Sequence, residues 1–115
     1  MLKGKQPHVV AMYKRLVAIA KLCGPVQVTA LKTTIALAAP AIIAHVTPQK
    51  GKLKVLLVLP GVREHPLVRS RYELSMFRRS HEFVLAAEEE FDDAFEELVR
   101  EAVENGQMTN GRRTR

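Results

Sequence analysis

The stretch from Val26 to Leu85 constrains the fold most. It divides into apolar, β-branched runs separated by punctuation too short to hold a helix. In Val26–Leu31, Val26, Val28 and Ala30 alternate with Gln27 and Thr29, a strand pattern of period two. Thr33–Ala38 continues with β-branched residues up to Pro40, and Ile42–Thr47 is a third run closed by Pro48. Pro48-Gln49-Lys50-Gly51 then reads as a turn. Lys52–Leu59 is the clearest strand. Leu53, Val55, Leu57 and Leu59 line one face; Lys52, Lys54, Leu56 and Val58 line the other. That second face begins charged and ends apolar, so part of it is expected to be covered. Val62–Arg69 reads as a loop or one short helical turn. Arg71–Leu74 and Ser80–Leu85 are further candidate strands, with His81, Phe83 and Leu85 on one face. Parallel neighbours need crossovers of about a dozen residues or more, so these short connections dictate an antiparallel meander.

Two helical patterns bracket the strands. From His8 to Cys23, Val9, Tyr13, Leu16, Ala20 and Cys23 recur at three- and four-residue steps. Pro7 suits the first turn, and Gly24-Pro25 is a stop signal. From Glu88 to Asn105, Phe91, Phe95, Leu98 and Ala102 form a second stripe, with Ala94 and Val99 beside it. Glu88, Glu89 and Glu90 would occupy its first turn, and Asn105-Gly106 would end it. The expected fold is α+β: an antiparallel sheet of about four to five strands flanked by an N-terminal and a C-terminal helix. At 115 residues, 47% of them hydrophobic, the chain makes one domain, residues 8–106. Residues 1–7 are expected to be flexible, and 107–115 to form a disordered basic tail.

Charge is strongly segregated. The formal net charge of +6 is +12 over residues 1–81, −9 over 82–104 and +3 over 105–115. No acid precedes Glu64. One cysteine, Cys23, cannot form an internal disulfide, which suits a reducing cytoplasm. Lys14, Arg15 and Lys21 interrupt the first hydrophobic stretch, so no signal peptide is expected. The longest run free of charged residues, Thr33–Gln49, contains two prolines and a histidine, so no membrane partner is expected.

An ordered series of short motifs runs from about Leu16 to Gly106. It comprises Cys23-Gly24-Pro25-Val26, Lys32-Thr33-Thr34-Ile35-Ala36, Pro48-Gln49-Lys50, and His65-Pro66 with Arg69 and Glu73. It closes with His81 before Phe83, Phe91-Asp92-Asp93, and Leu98-Val99-Arg100-Glu101-Ala102. In this series the chain resembles the bacterial domain of unknown function family 5655. The resemblance implies an α+β fold and a bacterial, cytoplasmic setting. The chain departs from it at Ile42 and Ile43, where the family prefers an aromatic, and at Val103, where it prefers a tyrosine.

Catalytic chemistry finds little support in the residues. Cys23 ends a helix, where the negative dipole raises a thiol pKa, and reads as a core residue. His8, His45, His65 and His81 lack ligand spacing, so no metal or other cofactor is expected. Gly51, Gly61, Gly106 and Gly111 are isolated and make no phosphate loop. Glu89, Asp93, Glu96, Glu97 and Glu101 read as a solvated helix face, and Asp92 as an acid that bonds locally or pairs with a sheet cation.

The basic strands remain. Lys50, Lys52 and Lys54 would share one face if they continue a single strand, as would Arg69 and Arg71, with Arg78 and Arg79 in a polar loop. With Lys32 and His81 they form a candidate anion-binding set, for nucleic acid or another anionic partner. With no tryptophan and 5% aromatic residues, a base-stacking platform is not expected. Two alternatives stand beside this. One is a homodimer that pairs the basic sheet with the acidic helix. The other is a small-ligand binder or enzyme with a pocket around Lys32, Thr34, Lys50 and His81.

Overall fold

The computed structural model describes residues 6–39, 41–61, 63–75 and 78–113. Met1–Lys5 and residues 114–115, parts of the expected flexible ends, lie outside them. The elements in chain order are α1 (Pro7–Cys23), β1 (Gln27–Ala30), β2 (Ile35–Ala38), β3 (Ile42–Gln49), β4 (Lys52–Leu59), β5 (Val68–Ser75), β6 (Arg78–Leu85), a 3-10 turn (Glu88–Glu90) and α2 (Asp93–Arg113). The class is α+β as the patterning requires, with six antiparallel strands rather than four or five.

The strands do not form a simple meander. Their order is β1-β2-β3-β4-β6-β5, so β4 pairs with β6 and β5 takes the outer edge. The hydrophobic pattern explains the exchange. Phe83 and Leu85 of β6 are fully buried, whereas β5 carries Arg69 and Arg71, both exposed. The more apolar strand takes the interior position, and the segment from 60 to 67 is long enough to step over it. Bulges interrupt β5 between Val68 and Ser70 and between Glu73 and Ser75. A charged, bulged strand is a suitable edge.

Pro48 does not close β3, which continues through Gln49. Gln49 and Lys52 flank the two-residue turn Lys50-Gly51. By antiparallel alternation, Pro48 then bonds away from β4, toward a place that β2 has already vacated. Its missing N–H therefore costs no ladder bond. Gly51 takes φ +73°, a left-handed value that suits glycine.

The register draws side chains into rows across the sheet. Ala30, Ile35, Val46, Val55, Phe83 and Val68 make one row; Val28, Leu37, Ala44, Leu57, His81 and Arg71 make another. Both helices pack on this face. Val9, Met12, Leu16 and Ala20 of α1 and Phe95, Val99, Ala102 and Val103 of α2 complete the core. Met12, rather than Tyr13, is the buried residue at its place in the α1 stripe. Phe83 and Phe95 meet edge to face at 5.0 Å, and Phe95 and Phe91 at 4.7 Å. Each such buried ring contributes roughly 2–3 kcal/mol by area alone.

The C-terminal helix differs from its sequence pattern at both ends. Glu88–Glu90 form a separate 3-10 turn, and Phe91 leaves helical geometry at φ −84°, ψ 73° to enter the core. Asp92 then caps α2: its Oδ1 accepts the Phe95 N–H at 2.9 Å. At the other end α2 passes through Asn105-Gly106 to Arg113. Gly106 serves close packing instead of termination. A Cβ there would stand 2.6 Å from Ile43 Cγ2 and 2.9 Å from the Ala39 carbonyl oxygen. Among the described residues no helix is long and apolar enough to cross a membrane.

Candidate binding surface

The opposite face of the sheet carries the row Thr29, Ala36, His45, Leu56, Glu82 and Ser70, and beside it Thr47, Lys54 and Val84. Val58 and Ser80 pair further along the same face. Among the described residues no helix lies on this side, since both helices share the core on the other. The expected cover over the apolar part of β4 is therefore not supplied from within the described chain. Small neighbours do part of that work: Ala36 and Val58 are each only 6% exposed.

The hypothesised basic set does not form one surface. Lys52 and Lys54 share the uncovered face, but Lys50 sits in the turn with Gly51. Lys32 lies in the β1–β2 turn, at the same end of the sheet. Arg69 is the extra residue of the β5 bulge, which breaks the alternation that would align it with Arg71. Arg71 belongs to the helix-side row. Its guanidinium donates to the Arg63 carbonyl at 2.9 Å and approaches Glu64 at 3.4 Å. Arg78 and Arg79 open β6 instead of forming a loop.

His81 is fully buried on the helix side, away from Lys32 and Lys50. Its Nε2 accepts the Arg63 backbone N–H at 3.0 Å, and its Nδ1–H donates to the Arg79 carbonyl at 3.1 Å. Both ring nitrogens are engaged in the neutral state. Burial, and then the charges of Arg71 and Arg63, push its pKa below the usual histidine value. The pocket of Lys32, Thr34, Lys50 and His81 is thus not assembled. His81 instead anchors the segment that crosses from β4 to β5.

His65 anchors the same segment at its other end. Its side chain is 3% exposed, and its ring meets Phe83 edge-on at 5.5 Å. Its Nδ1 accepts the Leu67 N–H at 3.1 Å, and its Nε2–H faces Asp92 Oδ1 at 3.4 Å. The Asp92 carboxyl is held below the ordinary carboxylate range, first by the Phe95 N–H and then by His65. The carboxylate therefore bonds locally, as its sequence context indicates. Burial raises the Cys23 thiol, the reverse of nucleophile activation.

Much of the segregated charge is matched inside the fold. Arg15 of α1 pairs with Glu96 of α2 and lies 4.6 Å over the Phe91 ring. Arg63 grips Glu101 in a bidentate pair at 2.9 and 2.7 Å. Lys54 reaches Glu82 across β4 and β6 at 3.7 Å. Lys32, Lys50 and Lys52 are exposed and meet no carboxylate among the described residues.

These three lysines stand on a held frame. The Gly51 N–H donates to Gln6 Oε1 at 2.8 Å, and His8 Nε2–H donates to the Gly51 carbonyl at 2.9 Å. Thr34 Oγ1 and Thr47 Oγ1 lie 2.9 Å apart, joining the β1–β2 turn to β3. The period-two pattern gave no sign of these anchors, because they link residues 13 to 45 positions apart. Glu82 was missed as well. Its place opposite Leu56, diagonal to Lys54, depends on the β6 insertion. No family model, curated protein or solved structure matches the chain.

Proposed function

We propose that this chain is a small, non-enzymatic accessory domain of the bacterial cytoplasm that binds an anionic partner, nucleic acid, through the lysine-bearing end of its sheet. The bacterial and cytoplasmic setting rests on the resemblance to domain of unknown function family 5655. One observation carries the binding reading. Lys32, Lys50 and Lys52 are exposed at one end of the sheet, while Glu96 and Glu101 of the acidic helix are paired with Arg15 and Arg63. Three exposed lysines that meet no carboxylate among the described residues, carried by two anchored turns and the start of β4, offer ammonium groups to phosphates. Lys54 contributes less, because Glu82 already engages it. The non-enzymatic reading is supported by the engagement of both ring nitrogens in His81 and His65. Neither buried histidine has a free nitrogen with which to move a substrate proton.

The test is an anisotropy titration with a labelled DNA duplex at several salt concentrations. Three phosphate contacts predict a log–log salt slope of about −3. The Lys50→Gln/Lys52→Gln double variant is expected to flatten that slope by about two. Absence of binding at low salt, or a slope near zero, would overturn the reading.

A further inference from the structure

The uncovered sheet face has a composition that suits a different kind of partner at its centre. Around β4 and β6 four side chains form one cell: Lys54 beside Val84 and Leu56 beside Glu82. Its two charges have opposite sign and lie on one diagonal, in contact at 3.7 Å. Its two apolar side chains, both half-buried, lie on the other diagonal. Half-buried His45 and Thr47 of β3 border the cell on one side, nearly buried Val58 and Ser80 lie beyond it along the strands, and nearly buried Ala36 lies one strand further out. A polyanion laid over this centre would meet Glu82. A second copy of the chain would not suffer that repulsion.

We propose that the uncovered face is a homodimer interface in which two copies pack face to face, with Lys54 of each over the partner's Glu82. The symmetry of the cell supports this occupant. In a face-to-face pair the two-fold axis lies in the plane of the interface. An axis crossing the Lys54–Glu82 diagonal at its midpoint and at right angles to it exchanges the two charges. Strands about 4.8 Å apart, with about 6.8 Å between alternate residues, make the diagonals cross at about 70°. The same axis therefore runs nearly along the Leu56–Val84 diagonal. Those apolar side chains would meet their own counterparts, and both charges of the cell would meet their opposites.

The available area also suffices. Four eight-residue strands of about 27 Å and two four-residue strands of about 14 Å, spaced about 4.8 Å apart, give roughly 600 Å² a side. The total of about 1,200 Å² reaches the lower range of specific interfaces. Contact at the centre leaves Lys32 and Lys50 at the rim. The proposal does not rest on nucleic-acid binding, and either can fail alone.

The test is sedimentation of the full chain at high salt after nuclease treatment, from micromolar to submillimolar concentration. The wild type is expected to reach twice the monomer mass. Lys54→Glu and Glu82→Lys each set like charges across the axis, and each is expected to weaken dimerisation about tenfold or more. Mixing the two variants restores complementarity, so the heterodimer is expected to return. In a Cys23→Ser background, Val84→Cys is expected to be joined into a dimer by a short bis-maleimide reagent, since facing sheets lie about 10 Å apart and beyond disulfide reach; this readout survives if a charge variant fails to fold. A wild type that stays monomeric, or a dimer lost on nuclease treatment, overturns the proposal. So do folded charge variants that dimerise normally or do not recombine, and a Val84→Cys chain that does not cross-link.

Discussion

Replacing His81 by leucine tests the anchor of the crossing segment and the pH dependence that follows from it. The ring is fully buried and makes two hydrogen bonds, at 3.0 Å from the Arg63 N–H and 3.1 Å to the Arg79 carbonyl. Leucine keeps the volume close but removes the side-chain partner of the Arg63 N–H and of the Arg79 carbonyl. Each unmet group costs about 1–3 kcal/mol when water cannot reach it. The added apolar surface returns about 1 kcal/mol. A net loss of about 1–5 kcal/mol at neutral pH is expected from urea unfolding. The linkage has a definite sign. Burial lowers the folded-state pKa of His81, so below about 6.5 the unfolded chain binds a proton that the folded chain refuses. The stabilisation is complete above that pH. It declines by up to about 1.4 kcal/mol per pH unit below it, until the folded-state pKa is reached. His81→Leu removes this linkage, so the two stability curves should converge between neutral pH and the folded-state pKa. Parallel curves, or a variant as stable as wild type at neutral pH, would refute the reasoning.

Other perturbations have defined outcomes. Gly106→Ala should destabilise by about 1–3 kcal/mol despite better helix propensity, because the new Cβ meets Ile43 and the Ala39 carbonyl; thermal unfolding checks this. Asp92→Ala should cost about 1 kcal/mol through the lost α2 cap. Because the folded Asp92 pKa is lowered, its contribution is present above the unfolded carboxyl pKa and lost as pH falls through the folded one, which acid titration of both proteins would reveal. Phe95→Ala should cost about 3–5 kcal/mol, since its ring touches both Phe83 and Phe91 in the core. Denaturant unfolding measures it.

The sequence makes β4 and the two helices legible for a physical reason. Leu53, Val55, Leu57 and Leu59 alternate over a full strand, and Val9, Leu16 and Ala20 recur at helical steps. Neither pattern depends on which strand lies next door. Neighbour choice is different. The insertion of β6 beside β4 depends on the relative burial of Phe83 and Arg71, a comparison between strands that local period cannot express. The same limit governed the candidate site. Alternation alone sets Lys52 and Lys54 on one face, but the β5 bulge separates Arg69 from Arg71. His81 was given a face correctly with Phe83 and Leu85, yet that face is the one beneath the helices. Gly106 shows a further ambiguity. A glycine near a helix end signals termination or close approach, and only the position of Ile43 and Ala39 decides between them.

The proposed binding site lies at the lysine-bearing end of the sheet, apart from the helix layer. Backbone amide shifts recorded by NMR during titration with a short DNA duplex test it most directly. The expected result is salt-sensitive changes confined to residues 31–34 and 49–54, the β1–β2 turn with Lys32 and the β3–β4 turn with its flanks, which carry Lys50 and Lys52. Changes centred on α2, or on the Arg63–Arg71 segment, would contradict it.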